Sequence, residues 1–199
     1  MIGVSYYSKK LTLDIVNAIN GVEIPADDRS RTAGALFDMV HEHHQAIVIL
    51  LAKRLYGSAG ALLRSIFETY ARGVWFMKCA SSDDLVNFQQ DQFKKGTFED
   101  RLKEIDAVDG DAHGGLLNVK SSAWTALNSY THGGFRAVSR RFRGHEMMAN
   151  YAPEEIAEIE RVASSFAVLA VFQIAEISGS ERVIKEAERL AIEFQEKYS

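Results

Sequence analysis

The residues with the clearest chemical potential lie in the segment Asn128-Ser-Tyr-Thr-His132. Asn128 and His132 are four positions apart, so they are neighbours on one face if the segment is helical. The pair Gly133–Gly134 follows at once and is typical of a helix C-terminus. A histidine held by an asparagine at a helix end suits general acid–base catalysis or phosphate binding. The alternative for His132 is a plain C-terminal cap.

A second set of polar residues recurs every four positions in the segment GSAGALLRSIFETYARGVWF, namely Arg64, Glu68 and Arg72. On a helix they form one stripe opposite an apolar face, with Trp75 beside them. The stripe is either solvated, with ion pairs that contribute about 0.2–0.5 kcal/mol each, or covered by another helix. In the covered case Arg64 and Glu68 form an interfacial pair that requires further partners.

Four arginines and no acidic residue occupy positions 132–145, although the whole chain carries a formal charge of −4. Arginine is suited to bidentate contacts with phosphate or carboxylate groups. The segment therefore predicts an anion-binding surface, with RNA or a nucleotide as the first candidate. The alternative is that these arginines pair with the glutamate-rich segment that begins at Pro153. The four are Arg136, Arg140, Arg141 and Arg143.

The run His41-Glu-His-His44 lies in a helical pattern whose apolar stripe includes His44. We therefore expect His44 to be buried, and a buried imidazole is most simply a hydrogen-bonded core residue. One alternative is a catalytic or ligand-binding role for His44. Another is a metal site that combines His41 and His44 with Glu68 and His132. No CxxC, HExxH or glycine-rich phosphate loop occurs, so we predict no metal and no cofactor.

The elements that position these residues are predicted to be helices, because apolar residues recur at spacings of three and four throughout and strict alternation is absent. Glycines separate the helices, among them Gly57, Gly96, Gly110, Gly114 and Gly179. We predict an all-α, single-domain antiparallel bundle over residues 1–199, with its core at about 30–180 and four long central helices at 30–56, 58–80, 115–131 and 153–178. Shorter helices are predicted at 8–20, 82–95, 98–107, 135–143 and 180–197.

Composition indicates a soluble cytoplasmic protein. The single cysteine among 199 residues, Cys79, excludes an intrachain disulfide. The sequence begins without the pattern of a signal peptide. The longest apolar run, at 46–52, is far shorter than the roughly 20 residues of a membrane span. We therefore expect no membrane partner.

The segments HHQAIVILL, GSAGALLRSIFETYARGVWF and ALNSYTHGG together resemble a bacterial helical family of unknown function over about residues 30–180. More distantly, Asn128-Ser-Tyr-Thr-His132 is similar to the end of the HEPN motif, Arg-Asn-x-x-x-His. HEPN domains are small α-helical bundles, often dimeric, that occur in RNases of toxin and phage-defence systems. The resemblance carries over to Asn128 and His132 only, because Leu127 stands at the arginine position. Arg64 and Arg136 are the candidates to replace that arginine in space.

The resemblance and the residues together predict an HEPN-like protein directed at RNA, with ribonuclease activity as the hypothesis and a defence or toxin system as its setting. The alternative is a non-catalytic bundle that binds a small anion or a partner protein. A homodimer is expected in either case. The candidate catalytic residues are His132, Asn128 and Glu68, the candidate anion-binding residues are Arg64, Arg136, Arg140 and Arg141, and the buried polar candidate is His44.

Overall fold

The computed structural model describes residues 5–109 and 115–199 and shows an all-α fold with one very small hairpin. The prediction of an all-α bundle is therefore confirmed. The helices are α1 Tyr6–Ile19, α2 Asp28–Ala52, α3 Tyr56–Lys78, α4 Ser82–Gln89, α5 Phe98–Asp109, α6 Leu116–Thr131, α7 Phe135–Ser139, α8 Pro153–Ser178 and α9 Glu181–Tyr198. The hairpin strands are β1 Phe142–Arg143 and β2 Glu146–Met147.

The long helix α3 is central, since α2, α5, α6 and α8 all pack against it. Its side chains Ile66, Phe67, Tyr70 and Trp75 have no exposed surface. Burial of one large apolar side chain contributes about 1.5–3 kcal/mol, so this helix supplies much of the stability of the core. The predicted core of about 30–180 is extended by α1 and α9, whose residues join the same apolar cluster through Leu11, Ile15, Val183 and Leu190.

The connection between α2 and α3 differs from the prediction. Helix α2 begins after Asp27, whose carboxylate accepts from the Ser30 amide at 2.9 Å, and it ends at Ala52 instead of 56. The chain then turns at Arg54, which has a left-handed φ of 59°. Gly57, the predicted break, lies inside α3, where a Cβ atom would come within 2.8 Å of the Arg141 guanidinium. A side chain at this position would therefore displace the ends of the Arg141 and Tyr151 side chains, and the turn itself does not depend on this glycine.

The segment predicted as one helix over 135–143 is divided. Helix α7 ends at Ser139, and Phe142 pairs with Met147 and Arg143 with Glu146 in an antiparallel hairpin. Only helices were predicted, so this small hairpin is an addition to the all-α bundle. Gly144 has a φ of 63° and occupies the first position of the two-residue loop, where glycine favours a tight hairpin turn. A two-residue strand is too short to be recognised by alternation.

Helix α8 begins as predicted at Pro153, which fits the first helical position because it has no amide hydrogen to leave unpaired. Glu155 accepts from the Ala152 amide at 2.9 Å and completes this start. Among the described residues, α8 is also the one helix long and apolar enough to cross a membrane, but 61% of its most apolar 18-residue window is buried in the protein. Core helices meet the same criterion, so this is weak evidence for a membrane span.

The remaining predicted boundaries agree to within a few residues, with one larger difference. Helix α4 stops at Gln89 although 82–95 was predicted. Asp91, with a φ of 55°, ends it, and Phe88 and Phe93 then pack on Phe76. The predicted breaks at Gly110 and Gly114 lie outside the described residues.

Candidate functional site

Arg64, on the exposed side of α3, reaches α6 and brings together several of the predicted site residues. Its Nε donates to Oε1 of Glu68 at 2.7 Å, one turn along the same helix. Its Nη1 donates to Oδ1 of Asn128 at 2.9 Å and lies 2.6 Å from Nε2 of His132. We call these four residues the Arg64 cluster. The Arg64 and Glu68 side chains keep 24% and 30% of their surface exposed, so the cluster is open to solvent on one side.

Trp124 also holds Arg64, and we did not predict this role from the sequence. The guanidinium carbon lies 4.8 Å from the centre of the indole ring, a cation–π distance. Phe98 stacks on the same ring at 5.4 Å with an angle of 20° and supports it. The signal in the sequence is the spacing, because Trp124 is one turn before Asn128 and two turns before His132.

The end of α6 places His132 where Arg64 can reach it. His132 is the C-cap residue, and its amide donates to the Asn128 carbonyl at 2.9 Å. Gly133 adopts a left-handed φ of 65°, and the Gly134 amide donates to the Ser129 carbonyl at 2.7 Å, which is the hydrogen-bond pattern of a Schellman ending. A Cβ on Gly134 would lie 3.0 Å from the Ser129 Cα. The His132 backbone is therefore fixed, and its side chain remains exposed.

The hydrogen bonds define the chemistry that the Arg64 cluster offers. A guanidinium only donates, so Nε2 of His132 must accept, which requires a neutral ring with its proton on Nδ1. Nη2 of Arg64 has no hydrogen-bond partner among the described residues, and the side chain is partly exposed to solvent. The cluster thus combines one unpartnered nitrogen of a positioned cation with an imidazole nitrogen that becomes a base once Arg64 releases it. This combination suits binding of a phosphate or carboxylate and proton transfer beside it.

Further cations lie around the cluster. Lys120 is one turn before the indole of Trp124, lies 5.3 Å from the ring centre and pairs with Glu99 at 2.7 Å. Burial, followed by the charge of Arg72, lowers the pKa of Arg101, whereas Glu68 raises it. Glu68 therefore interacts electrostatically with Arg101 in addition to its hydrogen bond with Arg64.

Leu127 occupies the position of the HEPN arginine and is 6% exposed in the core. Arg64 is the residue that contacts both Asn128 and His132, from a different helix and 68 positions from His132 in the chain. Of the two predicted replacements, Arg64 is therefore beside the motif residues. No described hydrogen bond joins Arg136 to Asn128 or His132.

The basic segment does not form one continuous surface with the cluster. Arg140 donates through Nε and Nη2 to Glu155 of α8 at 2.8 and 2.5 Å, which is the pairing with the acidic helix that we had given as the alternative. Arg141 lies against the first turn of α3, close to Tyr151. Arg136 borders a groove between α6 and α8. Their roles in anion binding stay predictions.

His44 is buried with 1% of its surface exposed, as predicted, but it is not near the Arg64 cluster. It faces α8, where Nε2 lies 3.4 Å from the Ser164 hydroxyl. His41 faces the same helix and contacts the Ala167 carbonyl at 3.1 Å. Burial lowers the pKa of His41 to about 4 and that of His44 to about 3. Both are neutral core histidines.

The metal site proposed from His41, His44, Glu68 and His132 therefore does not assemble, because two of its residues face α8 and the other two belong to the Arg64 cluster. In the part of the chain that the structure describes, no group of three or more histidine, cysteine, aspartate or glutamate side chains is placed to hold a metal ion.

Comparison with known proteins identifies a family. A family model described as "Family of unknown function (DUF6988)" matches residues 37–199. The chain belongs to DUF6988. The match begins inside α2 and includes every residue of the Arg64 cluster, whereas α1 lies before it. Neither the search of curated proteins nor the search of solved structures found a match. Membership of DUF6988 thus supports the resemblance to a family of unknown function and assigns no activity.

Proposed function

We propose that this protein is an HEPN-like ribonuclease of a defence or toxin system, with its active site at the Arg64 cluster. The observation that carries the proposal is the contact of the Arg64 guanidinium with both Asn128 and His132. An arginine, an asparagine and a histidine are thereby adjacent although the chain has Leu127 at the motif's arginine position. We also propose that the protein is located in the cytoplasm, where RNA is present. Cytoplasmic proteins are rarely stabilised by disulfides, and this chain has a single cysteine.

In the proposed reaction, Arg64 binds a phosphate of the RNA backbone through its open Nη2 and then through Nη1. This movement releases Nε2 of His132, which takes the proton of the adjacent ribose 2′-hydroxyl. The 2′-oxygen bonds to phosphorus, the bond to the 5′-oxygen breaks, and that oxygen receives a proton from the imidazolium. The products are a 2′,3′-cyclic phosphate and a 5′-hydroxyl. Asn128 holds the guanidinium during this exchange, and Glu68 fixes its other side.

The arginines of the basic segment have a lesser part in this proposal. Arg140 is neutralised by Glu155, so its contribution to phosphate binding is weak unless that pair opens. Arg136 and Arg141 add positive charge close to His132 in sequence and attract the RNA backbone over longer distances. Arg64 is therefore the one arginine to which we assign direct contact with the reacting phosphate.

The experiment that tests the proposal is incubation of the purified protein with an end-labelled, unstructured RNA of mixed sequence. We expect cleavage to products with 2′,3′-cyclic phosphate ends, and a loss of at least about 100-fold for His132→Ala, the lower range for loss of a general acid–base group. The matched control is His145→Ala, which removes an exposed histidine of the hairpin turn. Intact RNA with the wild-type protein, or equal loss in both variants, contradicts the proposal.

A second candidate function is a non-catalytic bundle that binds a small anion or a partner protein. The contact between Arg64 and His132 also favours this function. Nε2 of His132 accepts from Arg64 and is therefore not available as a base, whereas Nη2 of Arg64 still offers two protons to an anion. Stabilisation against heat by inorganic phosphate or a nucleotide, without cleavage of RNA, supports this function. Loss of that stabilisation in Arg64→Ala places the anion at the cluster.

We also propose that the protein is a homodimer. Two large apolar side chains close to the site in sequence are strongly exposed, Phe135 at 83% and Met147 at 81%. Val138, Phe142 and Met148 of the same short segment are exposed too, and large exposed apolar patches commonly mark protein interfaces. Light scattering coupled to size-exclusion chromatography measures the mass directly, and Phe135→Ser combined with Met147→Ser is expected to shift the protein from about twice the 22.2 kDa chain mass to the monomer. A wild-type monomer contradicts this.

A further inference from the structure

A groove with an apolar interior separates α6 from α8, which both pack on α3. Its volume is about 260 Å³. Its inner end is formed by Leu63 and Phe67 of α3 and Phe166 of α8, which are all buried. Its walls come from small and branched side chains of the two flanking helices, including Val119, Ala123, Ala126, Ile159 and Val162. An apolar cavity of about 150 Å³ can already hold benzene, so this groove has room for a ring with a short chain.

The outer end of the groove carries three charged residues, of which two are neutralised by the protein itself. Glu155 accepts from Arg140 at 2.5 Å, and Glu158 accepts from Arg161 at 2.6 Å. The third is Arg136, whose guanidinium has no ion pair or hydrogen bond with any described residue. The opening therefore presents one positive charge without a counterion beside an apolar interior.

A second hydrogen-bond donor lies at the same opening. Tyr130 lines the groove, and its hydroxyl has no hydrogen-bond partner among the described residues. Burial first, and then the charge of Glu155, raises the pKa of Tyr130, while Arg140 and Arg136 lower it. All three of these charged groups thus act electrostatically on the hydroxyl, which stays protonated at neutral pH. Arg136 and Tyr130 together offer the donors that a carboxylate accepts.

We propose that this groove binds an organic carboxylate, with its apolar body between α6 and α8 and its carboxylate held by Arg136 and the Tyr130 hydroxyl. The positive charge at the opening disfavours a cationic ligand. A neutral molecule of the same shape would bind more weakly than the carboxylate, because it cannot form an ion pair with Arg136. The apolar interior excludes a bare inorganic anion, which has nothing to bury there. The site is separate from the Arg64 cluster and does not rest on the RNA proposal, although α6 contributes to both.

The test uses isothermal titration with three probes that share one body: 4-phenylbutyrate, 4-phenylbutanol and 4-phenylbutylamine. We expect the wild-type protein to bind the carboxylate at least about tenfold more tightly than the alcohol, since a hydrogen bond to a charged group contributes about 1.5–3 kcal/mol. The amine should bind most weakly. Equal affinity for the three probes overturns the assignment of the carboxylate to Arg136 and Tyr130, and absence of binding overturns the site.

Variants locate the binding. Arg136→Gln is expected to abolish the preference for the carboxylate over the alcohol, whereas Arg143→Gln, which removes an arginine of β1 outside the groove, leaves that preference intact. Ala126→Phe places a ring in the groove and should prevent binding of both probes. Ala123→Phe, one turn earlier, is a second filling variant, and circular dichroism confirms that each is folded. Unchanged binding in the folded filling variants, or equal weakening by Arg136→Gln and Arg143→Gln, overturns the proposal.

Discussion

Nη1 of Arg64 lies 2.6 Å from Nε2 of His132, and the two residues are on different helices and 68 positions apart in the chain. The same Nη1 contacts Asn128, and Nε is held by Glu68. Every nitrogen of the guanidinium except Nη2 is thus engaged. A cation positioned in this way loses little conformational entropy when it binds an anion, because its orientation is already set. Under the proposed function, a phosphate that binds Nη2 would also compete for Nη1 and would thereby release His132.

Replacement of Trp124 should weaken the function of Arg64 without removal of any hydrogen bond of the Arg64 cluster. In Trp124→Leu the cation–π contact at 4.8 Å is lost, and this contact contributes about 0.5–1 kcal/mol at a partly exposed site. We therefore expect RNA binding or cleavage to fall by about two- to fivefold. Trp124→Phe keeps an aromatic face and should lose less. Equal activity of Trp124→Leu and the wild-type protein means that Arg64 is held by its hydrogen bonds alone.

The buried histidines should make the fold sensitive to acid. Burial lowers the pKa of His41 to about 4 and that of His44 to about 3, whereas an unfolded histidine titrates near 6.5. Between these values the unfolded chain binds more protons than the folded chain, so stability is full above about pH 6.5 and is lost as the pH falls toward 4. Each such histidine contributes at most about 1.4 kcal/mol per pH unit.

Urea unfolding at pH 7 and pH 5 measures this dependence. The variant His44→Leu cannot bind the proton and should show a smaller loss of unfolding free energy between the two pH values than the wild-type protein. His145→Ala, which changes an exposed histidine, should keep the wild-type loss. An identical loss in His44→Leu would show that His44 does not contribute to the acid sensitivity.

Two glycines inside long helices should respond in opposite ways to the same substitution. A Cβ on Gly73 would lie 2.6 Å from the ring of Phe37 in the core, and an overpacked core costs about 1–3 kcal/mol. A Cβ on Gly34 would meet Ile24 at 3.6 Å, an ordinary contact, and alanine is favoured over glycine in a helix by about 1 kcal/mol. Urea unfolding should therefore show Gly73→Ala destabilised and Gly34→Ala stabilised. The same sign for both would contradict the packing around α3.

Helical periodicity is a local property, so the sequence predicted the burial of His44, which is 1% exposed. It misplaced Trp75, which was put beside the polar stripe of α3 and has no exposed surface. The same periodicity placed Arg64 and Glu68 on the opposite side of α3. It correctly indicated that such a pair, if covered by another helix, needs further partners.

The residues that contact Arg64 and Glu68 could not be predicted from the sequence, because helical periodicity does not show which helix packs against a given side. The contact between Arg64 and His132, and the separation of His44 from both, depend on how α2, α6 and α8 are arranged around α3. The turn at Arg54 was missed for a similar reason. Its left-handed backbone is unusual for a residue other than glycine, and no local signal marks it.

The most direct test of the central claim is a double-mutant cycle on RNA cleavage with Arg64→Ala, His132→Ala and the combination of both. If the two residues act as one unit on the reacting phosphate, each single variant should lose at least about 100-fold in cleavage rate, and the double variant should lose no more than the worse single one. Arg161→Ala serves as the control for loss of an arginine. Losses that multiply in the double variant, or full cleavage by Arg64→Ala, would contradict the account.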